Sequence, residues 1–181
     1  MSWVDLNTLQ NPTPGAAILA AWGDGVRDND YDHSHQPWCR LSRAAALAVA
    51  VPDNNATAIP WDAPAAGFDT DVFWAAGNPT RITCARAGVY RISPLLTWAA
   101  GVGAGFRAAW VRVSGVTYIS QPYDTAAAGF AASSGRMTEY PMAAGAYFEI
   151  MGFQTSGGGA LNLAAATTLN YVTVTRVREL P

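Results

Sequence analysis

His33 and His35, the only histidines in the chain, sit two positions apart in the run Asp32-His33-Ser34-His35. On an extended backbone, side chains at i and i+2 point the same way, so both imidazoles can face one ion. Three such pairs around a threefold axis would supply six nitrogens, a set for octahedral iron or nickel rather than tetrahedral zinc. The bland alternative is a solvated polar hinge closed by Gln36-Pro37, and the polar, acidic surroundings favour it. Nucleophilic catalysis by a Ser–His or Cys–His pair would need this segment to fold over the rest of the chain. No Gly-x-Ser-x-Gly elbow, phosphate-cradling glycine loop or His-Glu-x-x-His run occurs. Glycoside hydrolysis needs two carboxylates facing across a cleft, and the body of the chain from residue 38 offers Asp53, Asp62, Asp69, Asp71, Asp124, Glu139, Glu149 and Glu179. Asp69 and Asp71 alternate in Phe68-Asp69-Thr70-Asp71, where aspartates are expected to hold nearby backbone amides. The inventory points to a protein that is not an enzyme and needs no cofactor.

Binding chemistry is better provided for. Seven tryptophans invite a sugar-stacking reading. Trp98 and Trp110 lie at strand positions that alternate correctly for burial, whereas Trp61 and Trp74 flank Pro- and Gly-rich loops. Trp61, Trp74 and Tyr123 are therefore the expected glycan-contacting residues. Cys39 and Cys84 lack the close spacing of a zinc site and the density of a disulfide scaffold. They read as buried thiols, with one bridge between them as the alternative.

The frame that must position these residues follows from size and charge. With 181 residues and 19.1 kDa, the chain suits one domain plus a short appendage. Half of it is hydrophobic and only 13% charged, against roughly 25% in ordinary soluble domains, so burial by association is expected. All eleven basic residues are arginine and the net charge is -2, which leaves no basic footprint for nucleic acid. The longest apolar run, near residues 44 to 51, falls far short of the roughly 20 residues of a membrane span, and no basic segment precedes an apolar one at the start. Neither a membrane span nor a signal peptide is expected.

Residues 1 to 37 read as an arm. Residues 1 to 35 are acidic, with Asp5, Asp24, Asp28, Asp30 and Asp32 against Arg27 alone. Trp3 and Leu6 are isolated apolar contacts, and Ile18, Leu19 and Trp22 recur at helical spacing after Pro14, predicting a short amphipathic helix over about 14 to 29. So short a helix must dock on something.

Residues 38 to 181 read as all-β, with strands near 38–50, 57–61, 80–85, 88–99, 105–113, 116–122, 136–142, 146–155, 160–163 and 168–178, and a loop over 125–132. Alternation in 88–98 puts Tyr90, Ile92, Leu96 and Trp98 on one face. In 146–154, Phe148 and Ile150 share one face, while Tyr147, Met151 and Phe153 share the other with Glu149. Apolar residues on both faces call for a covering layer, either a second subunit or the N-terminal helix.

Four blocks in order carry a resemblance. They are Ala87-Gly88-Val89-Tyr90-Arg91-Ile92 running to Trp98, then Ala109-Trp110-Val111-Arg112-Val113 with Gly115 and Tyr118, then Met142 to Ile150, and finally Tyr171 to Val177. Together they resemble the tumour-necrosis-factor-like jelly roll shared with complement globular heads. Phe68-Asp69-Thr70-Asp71, Gln154 to Gly158, and the arm segments Trp3-Val4-Asp5 and Ala21 to Asn29 make the chain similar to such domains in tailed-bacteriophage structural proteins. The resemblance implies an antiparallel jelly-roll sandwich, assembled as a homotrimer through Tyr147, Met151 and Phe153. It implies anchoring to other virion proteins through Trp3, Leu6, Ile18, Leu19 and Trp22, a place on the phage particle after synthesis in the host cytoplasm, and contact with a host surface glycan or a capsid-decorating role.

Overall fold

The computed structural model describes residues 36–43, 49–65, 67–100, 103–164 and 170–180. The expected helix at 14–29, the anchoring residues Trp3, Leu6, Ile18, Leu19 and Trp22, and the pair His33 and His35 lie outside the described residues.

Short runs with period-two burial set the architecture. Among the described residues there are thirteen strands: β1 Trp38–Ser42, β2 Ala50–Val51, β3 Thr57–Ala58, β4 Ile82–Thr83, β5 Gly88–Trp98, β6 Gly105–Val113, β7 Thr117–Ser120, β8 Asp124–Ala126, β9 Ala132–Ser134, β10 Thr138–Met142, β11 Tyr147–Thr155, β12 Leu161–Asn162 and β13 Tyr171–Arg178. One sheet runs β1-β13-β5-β10, with β9 also on β5. The other runs β3-β11-β6-β7, with β4 on β11 and β8 on β6. A small pair joins β12 to β2. All strand pairs are antiparallel. This is an antiparallel jelly-roll sandwich, as expected.

Its core is filled by the inward residues of both sheets: Leu41, Tyr90, Ile92, Leu96, Trp98, Val172 and Val174 from the first, and Ile82, Ala109, Val111, Phe148 and Ile150 from the second. The alternation read in 88–98 and 146–154 therefore holds. Gly152 belongs to this packing, because a Cβ there would stand 3.1 Å from Ile59 and Val51 and 3.3 Å from the Trp98 ring. Its bare backbone makes room for the indole.

Two differences from the sequence expectation have clear physical causes. The alanine-rich stretch at 125–132 is not all loop: its ends pair as β8 on β6 and β9 on β5, so this segment crosses from one sheet to the other. Alanine shows no alternation, and only the partners decide such strands. Within the predicted strand 38–50, Trp38–Ser42 pairs with β13 and Ala50–Val51 with β12, so its two described ends serve different partners, which spacing along the chain does not reveal.

The β6–β7 hairpin shows local sequence deciding local shape. Ser114 and Gly115 both adopt positive φ, 50° and 72°, and the Val116 N–H donates to the Val113 carbonyl at 3.1 Å. That pair of left-handed residues is the type I′ requirement, which matches the twist of the flanking strands.

Candidate functional site

The outward face of the six-stranded sheet carries the most distinctive group of side chains. Alternation along β6 sends Phe106, Ala108 and Trp110 outward, and register with β11 sets Thr155 beside Phe106, Phe153 beside Ala108 and Met151 beside Trp110. On the other side of β6, Thr125 of β8 stands beside Phe106. Continuing that register brings Tyr123 opposite Ala108. The small Ala108 leaves a hollow that the flanking rings fill.

Five rings meet there. Trp110 stacks on Phe153 with centroids 4.3 Å apart and planes at 18°. Tyr118 and Tyr123 meet Trp110 edge-on at 5.4 and 5.6 Å. Tyr123 also touches Phe153 at 6.1 Å and Phe106 at 5.7 Å, both edge-on. Edge-to-face and offset contacts of this kind add to simple burial and fix each ring's plane. Inner and outer members differ in exposure: Trp110 keeps 6% of its surface, Phe106 45% and Tyr123 51%. The Trp110 indole N–H is buried without a hydrogen-bond partner.

An ion pair lies beside the rings. One row beyond Trp110, Arg112 holds Glu149 at 2.8 Å, and the Thr80 hydroxyl donates to the same carboxylate at 3.2 Å. Burial pulls the Arg112 pKa down, but the hydrogen bond and charge of Glu149 outweigh it, so the net direction is up.

The other carboxylates are also engaged. Asp69 accepts the N–H groups of Phe73 at 2.8 Å and Trp74 at 3.2 Å, the backbone role expected of it. Asp53 accepts from Ser156 and Gly157. Glu139 pairs with Arg91, Glu179 with Arg176, Asp124 with Arg136, Asp71 with Arg86, and Asp62 lies 4.0 Å from Arg43. Cys39 and Cys84 are free and buried, and burial, with the charges of Asp69 and Asp71 adding, pushes each thiol up to about 12.

The three glycan candidates separate. Only Tyr123 belongs to the exposed cluster. Trp61 is not a loop platform but a core residue, 2% exposed, because Ile59-Pro60-Trp61 turns inward between the sheets. Trp74 is half-buried against that core, with its indole N–H covered. Phe106 is absent from the sequence expectation, although the same alternation that places Trp110 on a strand puts Phe106 on its face.

The expected interface trio does not form one exposed patch either. Met151 is 2% exposed, covered within the chain by a cluster with Ala58, Ala108 and Trp110. Phe153 is stacked on Trp110, and Tyr147 lies at the far end of β11 under the Arg81 guanidinium, 4.3 Å from its ring centroid. Apolar residues on this face thus find much of their cover in the strand next door.

No family model and no curated protein matches the chain. Solved structures do. Murine APRIL aligns with a TM-score of 0.59 at 8% identity, covering 79% of this chain and 100% of that one. The globular domain of zebrafish complement 1qA gives 0.56 at 10%, covering 80% and 99%. Eiger TNF from S. frugiperda gives 0.54 at 11%, covering 81% and 95%.

Proposed function

From a tumour-necrosis-factor-like jelly roll whose two sheets present chemically different outward faces, we propose a non-catalytic structural and binding module of a tailed-phage particle. In this reading the chain is a homotrimer, residues 1–37 anchor it to other virion proteins, and residues 38–181 project as a head that touches the host surface.

The observation that carries the reading is the outward face of the five-stranded sheet. Tyr171, Thr173 and Thr175 of β13 and Ser93 and Leu95 of β5 lie there side by side, half-buried and uncharged. Arg40 of β1 and Arg91 of β5 stand on the same face beside Thr173 and Thr175, and both are engaged: Arg91 holds Glu139 at 2.7 Å, and Arg40 sits 4.6 Å over the Tyr171 ring. A half-buried uncharged patch whose flanking charges are already engaged suits a copy of the same chain better than water. Packing there moves the copy-to-copy contact away from Met151 and Phe153 and leaves the aromatic cluster of the other sheet outward. Trimerisation would multiply a weak apolar anchor, so Trp3, Leu6, Ile18, Leu19 and Trp22 need bury only modest area each, at about 25 cal/mol per Å².

Light scattering tests the assembly. The full chain and a chain starting at Trp38 should both run at three times their monomer mass, and Thr173→Arg should give monomers while Phe153→Ala stays trimeric. A stable wild-type monomer would overturn the reading. Antibody labelling of purified particles tests the location: label on the tail supports host contact, label on the capsid supports the decoration alternative, and unlabelled particles refute both.

A further inference from the structure

We infer that copies of this chain meet through opposite margins of the five-stranded sheet, with Phe68 of one copy packed against Met137 of the next. This pairing rests on the assembly reading and names the two surfaces that touch in it. Strand register sets it up. One row crosses the outward face as Arg40, Thr173 and Ser93. At the β1 end, the bridge between Cys39 and Asp69 sets Phe68 level with Arg40. At the β10 end, the register of Thr138 with Ile92, continued by one residue, sets Met137 level with Ser93. An exposed apolar side chain therefore closes the row on either side, Phe68 at 38% and Met137 at 62%.

Backbone holds both ends in place. The Arg40 N–H donates to the Phe68 carbonyl at 2.8 Å and the Thr70 N–H to the Trp38 carbonyl at 3.1 Å, so residues 68–70 line the edge of β1. Phe68 is thereby set edge-on to Trp38, with ring centroids 5.3 Å apart. On the other side, Gly135 passes so close to β5 that a Cβ would stand 2.0 Å from the Pro94 carbonyl oxygen. Only bare backbone can take that path, and it delivers Met137 beside Ser93. Arg136, the neighbour of Met137 in the chain, is turned to Asp124 at 3.5 Å.

Area and symmetry select the occupant. Tyr171, Thr173, Thr175, Ser93 and Leu95 are half-buried, and the surface they still offer falls short of the roughly 800 Å² per partner of a stable contact. The contact must therefore reach the margins. In a closed ring of three, every contact joins two different surfaces, and with the strands running along the axis the β1 side of one copy faces the β10 side of the next. The two sides match in chemistry. Methionine is unbranched and polarizable, so it adapts to a ring pair and gains a sulfur–aromatic contact. Arg40 has the Tyr171 ring beneath it but, among the described residues, no carboxylate, while Glu139 on the β10 side stays exposed beside Arg91. The contact that seats Met137 on Phe68 thus brings a carboxylate towards Arg40.

Light scattering of the full-length protein over a dilution series tests the pairing. Met137→Arg and Phe68→Glu should each raise the concentration at which trimers dissociate by about tenfold or more, with the far-UV spectrum unchanged. Combined, they should restore the trimer, because the new charges meet across the contact, whereas within one chain they lie at opposite edges of the sheet. Val116→Arg, at an exposed position of the β6–β7 hairpin, should assemble as wild type. A short bismaleimide supplies a second readout that needs no charged variant to fold. It should convert the double variant Phe68→Cys, Met137→Cys to covalent three-chain products and leave each single variant unlinked. Trimers that do not cross-link, or charged variants that assemble as wild type, overturn the pairing and leave the assembly reading standing. Cross-linking of a single variant means that like surfaces meet, and overturns the pairing as well. A wild-type chain that stays monomeric overturns the assembly reading and the pairing with it.

Discussion

Single residues show where the chain accepts a local cost. Val72 is β-branched and 78% exposed, yet it adopts φ 54°, a region such side chains avoid. The preceding turn explains it: Asp69 holds the amides of Phe73 and Trp74, and the chain must fold back at Val72 to deliver them. Val72→Asn should raise stability by about 1 kcal/mol, seen as a higher urea midpoint with unchanged slope, because asparagine tolerates this conformation and no burial is lost. The two thiols make a different prediction. The folded chain keeps their protons between the ordinary 9.0 and about 12, an interval in which the unfolded chain has released them. Their contribution to stability is therefore fully present below pH 9.0 and declines as the pH climbs towards 12. Tyr90, raised chiefly by burial, acts in the same direction. Urea midpoints should fall between about pH 8 and about pH 10.5, less steeply in the double variant Cys39→Ala, Cys84→Ala. A thiol reagent at about pH 8 should find no reactive cysteine until the chain is unfolded.

At the level of elements, strands with clear alternation were legible in the amino-acid sequence, and those held by partners or by polar clasps were not. The run 88–98 announces its buried face by spacing alone, whereas in 105–113 the large rings Phe106 and Trp110 face outward and the small Ala109 and Val111 fill the core. Nothing in Thr125 to Ala132 has a period, so the pairing of β8 and β9 becomes visible only once β5 and β6 exist to receive them. Polar clasps were invisible for the same reason. Gln154 is buried at the end of β11, where its amide donates to the carbonyls of Val51 and Gly159 at 3.1 and 2.8 Å and accepts from Ser156. Asn170 accepts from the Thr97 N–H at 2.9 Å and donates to the Ala164 carbonyl. Each joins segments distant in sequence, and a polar letter does not reveal that. Gln154→Leu leaves the buried Val51 carbonyl and the Gly159 carbonyl without their amide donor, while the Ser156 N–H keeps Asp53, and should cost roughly 1–3 kcal/mol in chemical denaturation. Gly152→Leu drives a side chain into Trp98, Ile59 and Val51 and should lose near-UV circular dichroism of the core indole. The candidate site was half legible: Tyr123 stood out, but Trp61 was misplaced because a Pro-flanked indole reads as loop whether it points in or out.

For the whole molecule, the division of labour between two sheets is the central expectation. If the patch of Tyr171, Thr173, Thr175, Ser93 and Leu95 on β13 and β5 joins copies, Leu95→Arg should dissociate the assembly yet leave the fold intact, with light scattering falling to the monomer mass and the far-UV spectrum unchanged. A loss of both together would mean that Leu95 belongs to the fold and not to an interface. The strand order of that same sheet also has a consequence for biosynthesis. β13 lies between β1 and β5 and pairs with both, and the Arg176 amide reaches the Pro37 carbonyl. The first described strand therefore waits beside an empty place while residues 43–170 leave the ribosome, and the sheet closes only when residues 171–178 emerge. Nascent chains halted before Tyr171 should carry two unpaired strand edges and fall to chaperones or proteases, so that folding doubles as a check that translation has passed β13.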